Sequence, residues 1–308
     1  MRVSFFGTPE PAAVALDELL GSRHDVAAVV TQPDRPRGRS GRPQPPPVKE
    51  RAERAGIPVM QPSSPREEGF AAELATFAPE ACAVVAYGHI LPPEVLSVPE
   101  RGFVNVHFSL LPRYRGAAPV QRAIMAGESE TGISTFLLEP TLDTGPVLLV
   151  AREPIHLDDT SGTLMERLAI VGARLLVETL DGIETGTLRP QPQDPGLASP
   201  APKVRPEEGE IDWSKPATQI VNLVRGLNPA PGAYTTFRGR RLKVWRAAAV
   251  AGEQGTPGLI LDAGKDRFAV AAGEGSIELI EVQLEGSKRL DADAFMHGHR
   301  LQRGETLG

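Results

Sequence analysis

Six prolines fall within the nineteen residues from Leu188 to Pro206, LRPQPQDPGLASPAPKVRP, and no other feature limits the fold as strongly. Each ring fixes φ and removes a backbone donor, so neither a helix interior nor a central strand passes through such a stretch. It carries no apolar periodicity either, and residues 190–206 therefore read as an extended, proline-rich linker. On either side the spacing predicts a domain over 1–189 and another over 207–308, each of ordinary domain size.

The first part alternates between two periods. Arg2 to Phe6 is a short apolar-rich run ending at Gly7-Thr8-Pro9, and Ala12 to Leu20 carries helical spacing. Asp25 to Thr31 and Ala81 to Tyr87 read as further strands, with a helix between them from Val48 to Ala55. Strands alternating with helices imply parallel pairing through right-handed crossovers, hence an α/β domain with a doubly wound, mainly parallel sheet of Rossmann type. Gly7 stands alone where a dinucleotide turn carries G-x-G-x-x-G, so no dinucleotide cofactor is expected. Thr160 to Leu180 reads as a helix, with Thr160 or Ser161 as N-cap.

The second part predicts a helix over Ala217 to Leu227. Short β-like runs follow at Ala233 to Phe237, Leu242 to Ala247, Gly258 to Asp262, Phe268 to Ala272 and Ile277 to Gln283, the spacing of a small, OB-like β-barrel. A last helix is capped near Asp291 or Asp293. Its His297 and His299 stand at i and i+2, do not share a helix face, and so do not suggest a metal pair.

Chemistry concentrates between Phe103 and Leu149. Phe103 to Phe108 alternates as a strand does, and side chains at i and i+2 share a face, so Asn105 and His107 project together. Ser109-Leu110-Leu111-Pro112 leaves the strand at a proline, which places the pair beside a loop at a strand end, where α/β proteins bind ligands. Leu142-Asp143-Thr144-Gly145 reads as a turn and brings a carboxylate from a neighbouring loop. An amide can donate to a developing oxyanion, an imidazole can donate or shuttle a proton, and a carboxylate can orient that imidazole or favour its charged form. Taken singly, a strand histidine is more often a core residue and Asp-Thr-Gly more often only a turn. Ser109 lacks the G-x-S-x-G elbow and the single cysteine, Cys82, sits in an apolar run, so no covalent nucleophile is evident.

Net charge is −6, which gives no global attraction for nucleic acid. Yet Arg35, Arg37, Arg39, Arg42 and Lys49 fall between Asp34 and Glu50 in a Pro/Gly-rich loop with no acid among them. Such a run is commonly a solvated segment, but on an acidic protein it is also what local attraction of phosphates requires. No apolar stretch reaches membrane-spanning length, the start lacks the pattern of a signal peptide, and one cysteine permits no internal disulfide; a cytoplasmic location is expected.

Asn105-x-His107-x-Ser109-Leu110-Leu111-Pro112, then Arg115-Gly116-Ala117-Ala118-Pro119, then Leu142-Asp143-Thr144-Gly145 resemble, at this spacing, the formyltransferases that use 10-formyltetrahydrofolate. The likeness extends to Glu281-Val282-Gln283 and Gly286 to Phe295, and thus over nearly the whole chain; a short member of the family acting on glycinamide ribonucleotide would end soon after the first domain. The resemblance implies catalytic roles for Asn105, His107 and Asp143, and folate lying along Ser109, Leu110, Leu111 and Pro112. It further implies methionyl initiator tRNA as acceptor, gripped by Arg35, Arg37, Arg39, Arg42 and Lys49, with Lys203 matching a lysine of the tRNA-formylating members. Neither a metal nor a membrane is expected to take part, and a monomer is expected. Pro11, Phe108 and Ala230 depart from the family pattern, though strand alternation turns Phe108 away from the Asn105 face. A hydrolase releasing formate from the same folate, another folate-dependent amine formyltransferase and a tRNA-binding protein without catalysis are the other readings.

Overall fold

A computed structural model describes residues 1–36, 41–251, 254–264 and 267–308. Arg37 and Arg39 lie outside the described residues. The chain forms two compact units, one of Met1–Pro119, Glu130–Pro154 and Met165–Pro202, the other of Val120–Ser129, Ile155–Leu164 and Lys203–Gly308. The division is therefore not a single cut, unlike the expected one at the linker. Two short segments join the second unit through contacts that leave no periodic trace: Arg122 donates to Glu208, and Arg225 donates to the carbonyls of His156, Leu157 and Asp159.

In chain order the elements run β1 (Arg2–Gly7), α1 (Glu10–Leu20), β2 (Asp25–Val30), β3 (Arg35–Pro36), β4 (Pro43–Gln44), α2 (Pro47–Arg54), β5 (Val59–Met60), α3 (Phe70–Thr76) and β6 (Ala81–Val85). They continue with α4 (Pro93–Leu96), β7 (Phe103–His107), α5 (Pro119–Met125), β8 (Glu130–Leu137), β9 (Val147–Pro154) and α6 (Ser161–Thr185). Seven strands make one sheet in the order β5-β2-β1-β6-β7-β8-β9. The first five pair in parallel, whereas β8 and β9 run antiparallel. The parallel strands read as continuous apolar runs because both of their faces are covered, as in the five consecutive buried residues of β6. β6 stops at Val85, two residues short of its expected end, where Ala86 turns to φ +47°.

Beneath the sheet, Phe6 meets Phe103, Tyr87 and Phe70 edge-on at centroid distances of 5.3, 5.4 and 6.4 Å. Such pairs add about 0.5–1.5 kcal/mol each beyond their area burial. Val106 and Phe108 lie against Gly172 of α6, so the alternation of β7 leaves Asn105 and His107 on the opposite face. Phe108 is thereby turned away from the candidate site, as its register requires. Thr160 caps α6, its Oγ1 accepting the Thr163 N–H at 3.1 Å.

The second unit holds α7 (Ala217–Gly226), β10 (Ala233–Phe237), β11 (Arg240–Val250), β12 (Ile260–Gly264), β13 (Arg267–Ala271), β14 (Ser276–Leu284), β15 (Leu290–Asp291) and α8 (Ala292–His299). Its strands form an antiparallel sheet ordered β10-β11-β14-β13-β12, with β15 on β14. The last residues join its two edges. Leu307 N–H donates to the Gly258 carbonyl and Ile260 N–H to that of Glu305, while Gly308 N–H donates to Thr236 in β10. α8 seals the interior with Phe295, stacked on Phe268 at 6.2 Å. His299 tilts over Phe295 at 4.4 Å and His297 pairs with Asp293, so the two histidines have different neighbours.

Candidate active site

β7 presents Asn105 and His107 from one face. His107 is buried, and its Nε2 lies 2.8 Å from the Tyr114 carbonyl. A carbonyl only accepts, so Nε2 carries the hydrogen and Nδ1 is the nitrogen left for exchange. Tyr114 adopts φ +60°, a conformation costly for a bulky residue, and this turns its carbonyl onto the ring. Its own N–H donates to Ser199 Oγ at 2.9 Å, so the peptide is held from both sides. Asn105 is half-buried, and among the described residues no hydrogen bond engages its side-chain amide.

Asp143 sits in the loop between β8 and β9, buried, with φ +52°. Its Oδ2 lies 3.7 Å from His107 Nδ1, beyond hydrogen-bond distance, and instead accepts the Gly116 N–H at 2.8 Å. The ring is thus oriented by a backbone carbonyl, and the carboxylate stands near its other nitrogen. Two glycines allow this approach. Gly116 has φ +127°, and a side chain there would run into the Ala201 carbonyl; one at Gly145 would run into that of Leu137.

The proline-rich stretch does not behave as a free tether. Arg115 N–H donates to Ser199, Ala201 N–H returns to Arg115, and Gln191 pairs with Val147. Prolines exclude a regular ladder, but the residues between them keep donors and acceptors that reach the loop after β7. Tyr114, Ser199 and Gln193, which donates to Asp143 and Gly145, were not legible as site residues, because they act through backbone partners that no motif spacing encodes.

Among the expected folate residues, Ser109 is fully buried and its Oγ donates to the Arg113 carbonyl at 2.7 Å, which spends that side chain on shaping the loop. Leu110, Leu111 and Pro112 are half-buried, and Leu111 N–H donates to Ser134 Oγ. Cys82 is buried in β6, where desolvation pushes its thiol up, away from the thiolate a nucleophile needs.

The expected tRNA residues separate. Arg35 and Arg42 are exposed at the β3–β4 hairpin, in which Arg35 pairs with Gln44. Lys49, by contrast, lies in the first turn of α2 and bonds both oxygens of Asp34 at 2.9 and 3.0 Å. Gln61 adds a third bond to Asp34 at 2.8 Å; with Lys49 it holds that carboxyl below the ordinary range. Lys49 therefore ties the hairpin's base, a partnership invisible in a count of cations. Lys203 is exposed, and its carbonyl accepts from Arg122, whose guanidinium also grips Glu208 at 2.6 Å and pulls that carboxyl down to about 2.

Residues 1–180 match the family described as formyl transferase, and 203–300 match its C-terminal domain. The chain is 50% identical over 309 residues to the methionyl-tRNA formyltransferase of Streptomyces griseus, covering 100% of both. In solved structures it resembles the methionyl-tRNA formyltransferase of Clostridium thermocellum, with TM-score 0.57, 18% identity, and coverage of 82% of this chain and 95% of that one. It also resembles an N-formyltransferase of Helicobacter canadensis in complex with folinic acid and dTDP-3-aminofucose, with TM-score 0.67, 16% identity and coverage of 90% and 98%.

Proposed function

The chain belongs to the formyl transferase family in both of its parts, and from that premise we propose that Asn105, His107 and Asp143 carry a formyl group from 10-formyltetrahydrofolate to the amino group of methionyl initiator tRNA. The observation that carries this reading is the shared face of Asn105 and His107 beside Asp143, in a chain alignable end to end with methionyl-tRNA formyltransferases. The uncharged amine attacks the formyl carbon, forming a C–N bond and a tetrahedral oxyanion. Asn105, whose amide has no competing bond among the described residues, donates to that oxygen. With Nε2–H held by Tyr114, His107 presents Nδ1 to the oxyanion and the migrating proton, and Asp143 at 3.7 Å positions or charges the ring. The intermediate collapses by breaking the bond to the folate nitrogen, which takes up the proton the amine gives away. The products are N-formylmethionyl-tRNA for translation initiation and tetrahydrofolate.

Folate lies along Leu110 to Pro112, with Ser109 shaping that loop from behind. Arg35, Arg37, Arg39 and Arg42 meet the phosphates of the acceptor end, with Lys49 as the strut of the β3–β4 pair; Lys203 is a further tRNA contact. Among the described residues no helix is long and apolar enough to cross a membrane, and we place the enzyme in the cytoplasm as a monomer. The deciding experiment supplies formyl-labelled 10-formyltetrahydrofolate and methionyl initiator tRNA. Label on the methionine amine is the expected result. Labelled formate released without acceptor would mark a hydrolase, and tRNA binding with no folate turnover a binding protein.

A further inference from the structure

One dipeptide holds the Asp143 turn from two directions. Gly116 N–H donates to the Asp143 carboxylate at 2.8 Å. Its neighbour Arg115 reaches the same residue indirectly: Nε and one terminal nitrogen donate to Gln193 Oε1 at 3.1 and 2.6 Å. Gln193 Nε2 then donates to the carbonyls of Asp143 and Gly145 at 2.9 and 2.7 Å. Both hydrogens and both lone pairs of the amide are used, which few side-chain amides achieve. Among side chains of this length only glutamine fits, since glutamate has no hydrogen to give the carbonyls and leucine has neither donor nor acceptor.

Resting on the catalytic reading of Asp143 above, we infer that Gln193 is a positioning residue of the formyl-transfer site, fixing the Asp143 carboxylate against His107 by tying the turn to Arg115. Two features favour this over simple fastening of the proline-rich stretch. That stretch is already fastened by backbone bonds among Arg115, Ser199, Ala201, Val147 and Gln191, none of which uses the Gln193 amide. Asp143, in contrast, keeps a left-handed backbone at φ +52°, a conformation that persists when its surroundings over-determine it. The Gln193 amide is the side-chain group that grips the carbonyls on either side of Thr144.

The test uses steady-state kinetics of the full chain with Gln193→Leu, Gln193→Glu, Asp143→Asn and the double variant Asp143→Asn/Gln193→Leu. Misplacing a catalytic group by roughly 1 Å costs about a hundredfold, so each Gln193 variant is expected to lower kcat about tenfold to a hundredfold. KM for folate and for methionyl-tRNA should stay within about twofold, the pattern of an interaction made only in the transition state. On Asp143→Asn, Gln193→Leu should add no further loss. Arg115→Lys, which cannot supply the two-pronged contact, should lower kcat in the same sense even if Gln193→Leu folds poorly. Parental kcat in Gln193→Glu or Arg115→Lys overturns the inference, as does a loss confined to the tRNA KM or one that multiplies fully with Asp143→Asn. If Asp143→Asn itself turns over at the parental rate, the catalytic reading of Asp143 falls first. A slow Asp143→Asn beside an unimpaired Gln193→Leu overturns the positioning role alone.

Discussion

Asn105 and His107 share a strand face but stand in different relations to the fold. The histidine is buried and held by Tyr114, whereas the half-buried amide has no side-chain partner among the described residues. Asn105→Ala should therefore leave the unfolding midpoint near the parental value while lowering kcat about a hundredfold to a thousandfold, the cost of one lost oxyanion donor. A variant keeping more than half the parental rate would remove Asn105 from the reaction. His107→Ala and Asp143→Ala should each cost on the order of a hundredfold, and the double variant far less than their product, as expected of two groups acting as one unit. Fully multiplicative losses would separate them. The shared face was legible because strand side chains repeat every two residues. The 3.7 Å gap and the role of Tyr114 were not, because they depend on a left-handed backbone that nothing around Arg113-Tyr114-Arg115 announces.

At the scale of elements, long periodic segments such as α6 and β14 could be read from spacing, while β3, β4 and β5 could not. Two residues are too few to show a period, and these strands exist through their neighbours: Val59 and Met60 by pairing with β2, Arg35 and Pro36 by closing a hairpin on Pro43 and Gln44. The hairpin mounts Arg35 and Arg42 beside paired strands, with Lys49 and Gln61 clamping Asp34 at its base. Neutralising Arg39 and Arg42 together should weaken tRNA binding and flatten its log–log salt dependence by about one to two units, at close to 0.7–0.9 per phosphate contact. Folate binding should not change. Parental affinity and slope in a filter-binding titration would move the acceptor grip to the second unit, where Arg238 lies in the turn between β10 and β11 and Arg240, Arg241 and Lys243 lie on β11.

At the scale of the molecule, the second unit is held by contacts distant in sequence. Arg122 grips Glu208 across 86 residues, and this ion pair together with the Arg205 N–H keeps the carboxyl charged down to about pH 2. A carboxyl whose folded pKa is depressed adds stability above its unfolded value and loses it as pH falls through the folded one. Glu208→Gln should thus lower the unfolding midpoint at neutral pH, and the difference from the parent should shrink below the ordinary glutamate range and vanish near pH 2. A difference constant across that window would show that the contact works by shape rather than charge. The proline-rich stretch, finally, bears on where such a protein is divisible. A composition plot invites a recombination junction near residue 190, where the proline-rich composition begins. The backbone ladder through Ser199 and Ala201, and the Gln193 amide, belong with the loop after β7. In chimeras that exchange the C-terminal part with a relative, a crossover after Pro202 passes this ladder on intact, whereas one at 190 asks two lineages to share the single turn that carries Asp143.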